Sequence, residues 1–230
     1  MSLAGKGAVA IWHDIAPEGR DAFYAWHGRE HMPERVGIPR FLRGRRYVSV
    51  AGEPEFFNLY ETVSRNTVTG AEYMTRLNAP TPWTVATVKH FRNVSRSLCE
   101  VTASFGDGQG GLVATLRYDV DDARAPEHRK RVAQELLSEL AEARGIAGCH
   151  LLVADPVASA VETTEKKVRD EKNLIPRWIV LVESWDDTGA FRALCDELLT
   201  DAAFEDAAAP PVLGVYRLQN SRGALPWSAG

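Results

Sequence analysis

The chain has 230 residues, of which 45% are hydrophobic and 25% are charged, as in an ordinary globular protein of one or two domains. The net charge of −4 and the lack of a long basic run argue against a nucleic-acid partner, and no apolar run reaches the roughly 18 residues of a membrane span, so no membrane partner is expected. Three scattered cysteines without a paired spacing, and the lack of a secretory leader pattern, predict a cytoplasmic location.

The first half of the chain follows the order β-α-β-β-α-β. Gly7–Ile15 is apolar and rich in β-branched residues, which predicts a buried strand. A helix begins near Pro17 and is expected to end near Met32, because Pro33 disfavours α geometry in the residue before it. Further strands are predicted for residues 40–50, 55–63 and 94–104, and helical segments for residues 69–77 and 83–91.

A glycine-rich stretch at residues 106–111 predicts a flexible linker, after which the same order of elements recurs. The second half carries an insertion at residues 155–176 that is charged in its middle. Loops of this length are often lids or binding elements, although the charge also suits a solvated excursion. Strands are predicted for residues 112–120, 149–154, 178–185 and 212–218, helices for 126–144 and 188–200, and a tail for 221–230.

Short sequence matches support an internal repeat. The letters YETV at residues 60–63 correspond to VESW at 182–185, at the end of the third strand of each half. The letters TGA at residues 69–71 recur at 188–190, where the next helix begins. The matches are weak residue by residue, but they fall at equivalent places, as expected of a duplicated unit.

Two such units leave one bare sheet face each, and packing these faces together buries both. The sequence therefore predicts an α+β fold of two tandem ferredoxin-like (βαββαβ) units, residues 1–105 and 112–220, packed sheet to sheet as an intramolecular α+β barrel. Because the fusion supplies the second unit, the barrel should close in a monomer, and any homodimer should use the outer surface.

The first strands of the two halves, aligned at Gly7 and Gly111, place His13 and Arg117 at equivalent positions. The face that carries them is the more polar one in both halves, and the opposite face of the first strand includes Trp12. Because helices need a dry partner, the polar face is expected to line the cavity between the sheets, with His13 and Arg117 pointing at a ligand. The alternative is that both lie at strand ends and reach water.

The stretch from residue 23 to residue 47 is the richest in groups that can move protons. Phe23, Trp26 with His27, and Glu30 with His31 recur on one face of the first helix. A face that should meet the core thus becomes ionisable, and such local inconsistencies often mark function. The alternative is a histidine pair that caps the helix end, where a cation meets the dipole favourably.

Residues 27–31 also match H-x-x-E-H, the inverted zinc-hydrolase motif. A catalytic zinc needs a third protein ligand, and no downstream motif supplies one. Gly28 also weakens the helix that would have to hold the two imidazoles. No metal is therefore expected.

The letters HMP at residues 31–33, followed by IPRF at 38–41 and RRY at 45–47, resemble EthD-like members of the dimeric α+β barrel superfamily. Antibiotic-biosynthesis-monooxygenase-like proteins belong to the same superfamily, and the resemblance covers nearly the whole chain as two fused units. The second half lacks a comparable motif, so a single working cleft is expected. Members include cofactor-independent oxygenases, isomerases, lyases and haem enzymes, so the resemblance implies fold more than reaction.

Together these features predict a small-molecule site that works by histidine general base catalysis on an aromatic or polyketide-like substrate, with no cofactor. Glu30 or Glu61 is expected to hold one histidine in its tautomer. One alternative is a non-catalytic ligand-binding or assembly module. Another is a metal or haem enzyme, for which the second half offers only His128 and His150, neither in a recognisable motif. The catalytic candidates are His31, His27 and Tyr60, and the substrate-binding candidates are His13, Trp26, Phe41, Arg46, Trp83 and Arg117.

Overall fold

The computed structural model of the chain describes residues 2–169 and 174–224. Residues 170–173 of the predicted insertion and residues 225–230 of the predicted tail lie outside the described residues. Within the described ranges, eight strands form one closed barrel, and helices pack on its outside. No helix in this part of the chain combines the length and apolarity that a membrane crossing requires.

The first half begins with the predicted strand and runs through a long interrupted helix into three further strands. A short 3₁₀ turn at Pro17–Gly19 leads into the helix. The strands are β1 (Gly7–Ile15), β2 (Phe41–Ala51), β3 (Phe56–Thr62) and β4 (Phe91–Phe105), and the helices are α1 (Arg20–Trp26), α2 (Met32–Val36), α3 (Arg65–Thr69), α4 (Ala71–Asn78) and α5 (Pro82–Val88).

The second half repeats this plan with an extra pair of short helices in the insertion. A 3₁₀ turn at Asp201–Phe204 precedes the last strand. The strands are β5 (Leu112–Tyr118), β6 (Ile146–Ala154), β7 (Trp178–Ser184) and β8 (Val212–Gly223), and the helices are α6 (Ala125–Arg131), α7 (Leu137–Glu142), α8 (Pro156–Ala160), α9 (Thr164–Arg169) and α10 (Thr188–Leu198).

All strand pairs of the barrel are antiparallel. The first four strands lie in the order β4-β1-β3-β2, and the last four lie in the order β8-β5-β7-β6. Hydrogen bonds between β2 and β8 and between β4 and β6 join the two sets. The predicted closure of an α+β barrel within one chain is thus confirmed.

The predicted orientation of the first strand is wrong, whereas that of the fifth is right. Trp12 points into the barrel, where it packs with Val113, and His13 faces the helices instead. The register explains the error: Gly7 lies opposite Thr62, and Leu112 lies opposite the equivalent Ser184. The strands therefore correspond from Gly7 and Leu112, and an alignment at Gly111 is off by one residue. A shift of one residue turns every side chain of a strand to the other face.

Aromatic side chains fill the middle of the barrel. The rings of Trp12 and Phe57 stack at 4.8 Å, and Trp12 Nε1 donates to Thr115 Oγ1 at 3.1 Å. Arg117 lies over the Trp12 ring at 5.0 Å and donates to the backbone oxygen of Glu53 at 2.8 Å. Arg117 is therefore held by the barrel interior and its rim, on the opposite face of the sheet from His13.

One end of the barrel interior carries a buried ionic network. Arg45 reaches Glu61 at 2.9 Å through Nε and Glu183 at 2.8 Å through Nη1, and all three side chains are about 1% exposed. His150 lies 3.6 Å from Glu183 and contacts the hydroxyls of Ser2 and Ser104 at 2.7 and 2.8 Å. Each carboxylate is thus paired, as burial of charge requires.

The first helix does not end near Met32 as predicted. A π-helical segment, His27–His31, follows α1, and the N–H of Met32 donates to the oxygen of His27 five residues earlier. The wide turn leaves Pro33 in the first turn of α2, where the missing N–H is tolerated, so the helix continues to Val36. A second π segment, Val132–Leu136, lies at the equivalent place between α6 and α7.

Candidate functional site

A cavity lies in the first half between the α1–α2 helical segment and the outer face of the sheet. Its volume is about 30 Å³, roughly the space of one water molecule. Its walls combine aromatic, ionisable and a few aliphatic side chains. They consist of Ile11, Trp26, His27, His31, Arg35, Asn58, Tyr60, Tyr73, Leu77, Val88, Phe91, Arg96 and Glu165.

The helix contributes three ionisable side chains at four-residue spacing. His27, His31 and Arg35 are all buried and line the cavity in a row. The His31 ring packs on the Trp26 indole with ring centroids 4.2 Å apart. Trp26 Nε1 in turn donates to Thr84 Oγ1 at 3.1 Å, which fixes the indole against α5. π segments recur at functional sites because they re-aim side chains, and this one carries both histidines.

His27 links an arginine to a tyrosine. Arg46 Nη1 lies 3.2 Å from His27 Nδ1, and Tyr60 Oη lies 3.2 Å from His27 Nε2. Because a guanidinium only donates, Nδ1 must accept, so the proton of the neutral ring is on Nε2 and is donated to the Tyr60 oxygen. The phenol of Tyr60 can then donate its own proton to a ligand in the cavity.

Burial keeps both partners of this contact uncharged. Burial, with the charge of Arg46 and the nearby His13, holds the pKa of His27 well below its ordinary value of 6.5. Burial likewise raises the pKa of Tyr60 well above its ordinary value of 10.0. At neutral pH His27 is therefore a neutral imidazole, and Tyr60 is a hydrogen-bond donor rather than a phenolate.

The floor of the cavity comes from three neighbouring strands. Ile11 of β1 lies opposite Asn58 of β3 on one side and Arg96 of β4 on the other. Asn58 Nδ2 lies 2.8 Å from His13 Nε2, and Asn58 Oδ1 is buried without a hydrogen-bond partner among the described residues. Arg96 Nη2 donates to Tyr73 Oη at 2.9 Å.

One wall of the first-half cavity comes from the second half. Helix α9 of the insertion packs against α4 and α5 and brings Glu165 to the cavity. Glu165 accepts a hydrogen bond from the buried Arg35, whose guanidinium also lies 3.4 Å from Glu34. The described part of the insertion is therefore not a solvated excursion, because it packs on elements of the first half.

The structure brings four of the nine predicted site residues to the cavity: Trp26, His27, His31 and Tyr60. His13 lies behind Asn58 among Phe23, Phe56 and Phe91. Arg46 lies behind His27 and also donates to Gln219 at 2.7 Å.

The other three predicted residues lie away from the cavity. Phe41 packs on Tyr60 and Tyr73 but faces an outer cleft of about 690 Å³ on the far side of α2. Trp83 is 37% exposed on α5, and Arg117 is inside the barrel mouth. The expectation that His13 and Arg117 share one cavity is wrong, because the one-residue shift places them on opposite faces.

Neither glutamate that was expected to orient a histidine does so. Glu30 accepts hydrogen bonds from Thr81 at 2.6 Å and Thr84 at 3.4 Å and thereby ties the π segment to α5. Glu61 lies on the inner face with Arg43 and Arg45. Arg46 and Tyr60 orient His27 instead.

Sequence reasoning missed Arg35, Asn58, Tyr73, Arg96 and Glu165. Arg35 had a usable signal, since it continues the four-residue spacing of His27 and His31. Asn58 precedes Tyr60 by two residues on the same strand and shares its face. Arg96 and Glu165 had none, because their positions depend on the strand register and on the packing of an insertion.

Among the described residues, no group of three or more histidine, cysteine, aspartate or glutamate side chains could hold a metal ion. The two histidines of the second half are fully buried and hydrogen bonded. His128 lies 3.0 Å from Tyr118 Oη and 3.3 Å from Asp206, and His150 lies between Ser2 and Ser104.

No protein-family model matches the sequence, and no curated protein matches it. Solved structures do match over almost the whole chain. An anthrone oxidase-like protein superposes with a TM-score of 0.67 at 14% identity and covers 100% of this chain and 99% of its own. A monooxygenase-like protein of Fusobacterium nucleatum superposes with a TM-score of 0.57 at 8% identity and covers 96% of this chain and 96% of its own. Another, of Lactobacillus acidophilus, superposes with a TM-score of 0.56 at 10% identity and covers 95% of this chain and 97% of its own. At such identities the likeness shows a shared fold, which agrees with the predicted resemblance at the level of fold.

Proposed function

We propose that the first-half cavity is the active site of a cofactor-independent enzyme that removes a proton from a small aromatic or polyketide-like substrate. His31 is the general base, and Tyr60 donates a hydrogen bond to the oxygen on which negative charge develops. The observation that carries the proposal is that Tyr60, with its proton directed by the Arg46–His27 pair, shares one enclosed cavity with His31. The ring centroids of His31 and Tyr60 are 6.2 Å apart.

The chemistry follows from what each group can do. The imidazole of His31 accepts the proton of an acidic C–H or O–H bond, and the electron pair of that bond moves onto the conjugated oxygen. A preorganised donor aimed at that oxygen stabilises the enolate or phenolate more than it stabilises the neutral substrate. His27 is a positioning residue, because its ring nitrogens are engaged by Arg46 and Tyr60. The anion can then react with dioxygen, as in an oxygenase, or be reprotonated elsewhere, as in an isomerase or lyase.

A substrate must displace part of the wall, since about 30 Å³ holds only a water-sized molecule. Helix α9 is the wall element that belongs to the insertion. Its displacement breaks the Arg35–Glu165 ion pair and exposes Tyr73 and Trp26, whose faces suit a planar ring. The predicted role of the insertion as a lid is thus part of the proposal.

We also infer that the chain is a tandem fusion of two ferredoxin-like units with the EthD-like site in the first. The equal strand order of the two halves, the correspondence of Thr62 with Ser184 and the two π segments support a duplicated unit. The boundaries are residues 1–105 and 112–220 around the linker 106–111. A monomer then suffices for the barrel, and a cytoplasmic location remains a prediction.

The proposal is tested by hydrogen–deuterium exchange at the acidic CH₂ of anthrone, followed by proton NMR in D₂O under argon. Without oxygen the signal loss reports proton removal alone, whatever the later fate of the anion. The protein should accelerate exchange above the buffer rate, His31→Gln should abolish the acceleration, and Tyr60→Phe should reduce it about 10²- to 10³-fold. His90→Gln, a half-buried histidine outside the cavity, is the matched control and should leave it unchanged.

Exchange that His31→Gln leaves intact would refute the assignment of the base. Binding of anthrone without accelerated exchange would instead identify a non-catalytic ligand-binding module. An acceleration that persists after treatment of the protein with a chelator would show that the exchange needs no bound metal ion.

A further inference from the structure

We propose that Arg96 recognises a carboxylate of the ligand, so that the substrate class is an aromatic hydroxy acid rather than a neutral aromatic molecule. This inference rests on the proposed function, because it concerns the same cavity. It adds a specificity-determining residue that takes no part in the proton transfer.

Arg96 is a buried cation that faces the cavity. Its side chain is about 6% exposed, and among the described residues its guanidinium has one hydrogen bond, to Tyr73, and no carboxylate within ion-pair distance. A guanidinium has five N–H donors, so most of its capacity is left for a ligand. Burial of an unpaired charge is costly, and a bound anion would remove that cost.

Two other buried arginines, Arg35 and Arg45, are paired with carboxylates, and a third, Arg46, makes two hydrogen bonds within the protein. Arg35 pairs with Glu165 and Glu34, and Arg45 pairs with Glu61 and Glu183. Arg46 donates to Gln219 and His27. Of the charged residues in the described part of the chain that line the cavity, Glu165 offsets Arg35, and none offsets the charge of Arg96.

The positions of the polar groups indicate how the ligand would lie. Asn58 and Tyr60 are two residues apart on β3 and point to the same face, and Arg96 is on β4 with only Ile11 of β1 between it and Asn58. Arg96 donates to the carboxylate, Asn58 Oδ1 accepts from a ligand hydroxyl, and Tyr60 donates to the oxygen that becomes anionic. A carboxylate adjacent to a phenolic hydroxyl on a fused ring fits this row of three groups.

Calorimetric titration of 1-hydroxy-2-naphthoate and of its neutral amide tests the inference. The wild-type protein should bind the acid about tenfold or more tightly than the amide, since a charge-assisted hydrogen bond contributes about 1.5–3 kcal/mol and tenfold in Kd is about 1.4 kcal/mol. Arg96→Gln should bind the two probes about equally, whereas Arg96→Lys should keep part of the preference. Arg92→Gln, an exposed arginine on the same strand, is the control and should retain the full preference.

Circular dichroism melts verify that each variant is folded. If Arg96→Gln does not fold, the acid-to-amide preference of Arg96→Lys still tests the inference. A wild-type protein that binds acid and amide equally, or an Arg96→Gln variant that still prefers the acid, would overturn the role of Arg96 and leave the catalytic proposal standing. No binding of either probe would overturn the inference together with the pocket. The catalytic proposal is tested independently of Arg96, because anthrone has no carboxylate and its exchange is expected to depend on His31.

Discussion

Replacement of Glu183 by Gln tests the buried network at the end of the barrel. Glu183 accepts hydrogen bonds from Arg45 at 2.8 and 3.1 Å and from the backbone N–H of Gly110 at 3.3 Å. Burial acts to raise its pKa, but the nearby His150 ring, 3.6 Å away, and the charge and hydrogen bonds of Arg45 outweigh burial and lower the pKa to about 2 from an ordinary value of 4.5. The glutamine keeps the size of the side chain but removes its charge.

The pKa difference sets the size of the effect. At about 1.4 kcal/mol per pKa unit, the ionised carboxylate contributes about 3 kcal/mol to the free energy of unfolding at pH 7, similar to the cost of breaking a buried ion pair. Because the folded-state pKa is the lower one, this stability is present above about pH 4.5 and is lost as the pH falls from about 4.5 towards 2. In Glu183→Gln that part of the pH dependence should be absent.

Urea denaturation followed by circular dichroism measures both quantities, at pH 7 and in steps from pH 5 to pH 3. The exposed Glu197, changed to Gln, is the control and should alter the free energy of unfolding by less than about 0.5 kcal/mol. If Glu183→Gln loses less than about 1 kcal/mol at pH 7, or keeps the wild-type loss of stability below pH 4.5, the network does not hold the carboxylate as described.

Two further outcomes follow from the site and the barrel. The pKa of His27 is lowered, so the stability conferred by its neutral ring is present above about pH 6.5 and declines as the pH falls below that value. Thermal melts from pH 7.5 to 5.5 should show this loss of stability, and the loss should be smaller in His27→Gln. His128, whose pKa burial also lowers, acts in the same direction, so the decline should persist in part. Light scattering should give the mass of a monomer, 25.4 kDa, because strands of one chain close the barrel. An obligate dimer whose chains exchange units to close the barrel would contradict the single-chain barrel.

The order of elements could be predicted from the sequence because each strand and helix carries its own local signal. Apolar runs bounded by glycine and proline located the strands to within a few residues, and the first strand agreed at both ends. Which face of a strand points into the barrel has no such local signal, because it depends on the register of the strand with its neighbours. Gly7 and Leu112 correspond only through the pairing of β1 with β3 and of β5 with β7, where they lie opposite Thr62 and Ser184, and this pairing turns Trp12 inward.

The site was only half predictable for the same physical reason. His27, His31 and Trp26 lie on one helix, where the spacing of residues fixes their common face. Arg96 and Glu165 come from distant segments, and their presence depends on strand pairing and on how α9 packs across the two halves. Arg46 was expected to touch the ligand, but it lies behind His27. A sequence alone does not distinguish a residue that lines a cavity from one that supports the lining.

A crystal structure of the protein with an anthrone-type ketone or 1-hydroxy-2-naphthoate bound would test the central claim most directly. We expect the ring between the helical segment and the sheet of the first half, against Trp26, with its oxygen within hydrogen-bond distance of Tyr60 Oη and the acidic position beside His31. Helix α9 should be displaced from its contact with Arg35. A ligand bound inside the barrel or in the second half, without contact to either His31 or Tyr60, would contradict the assignment.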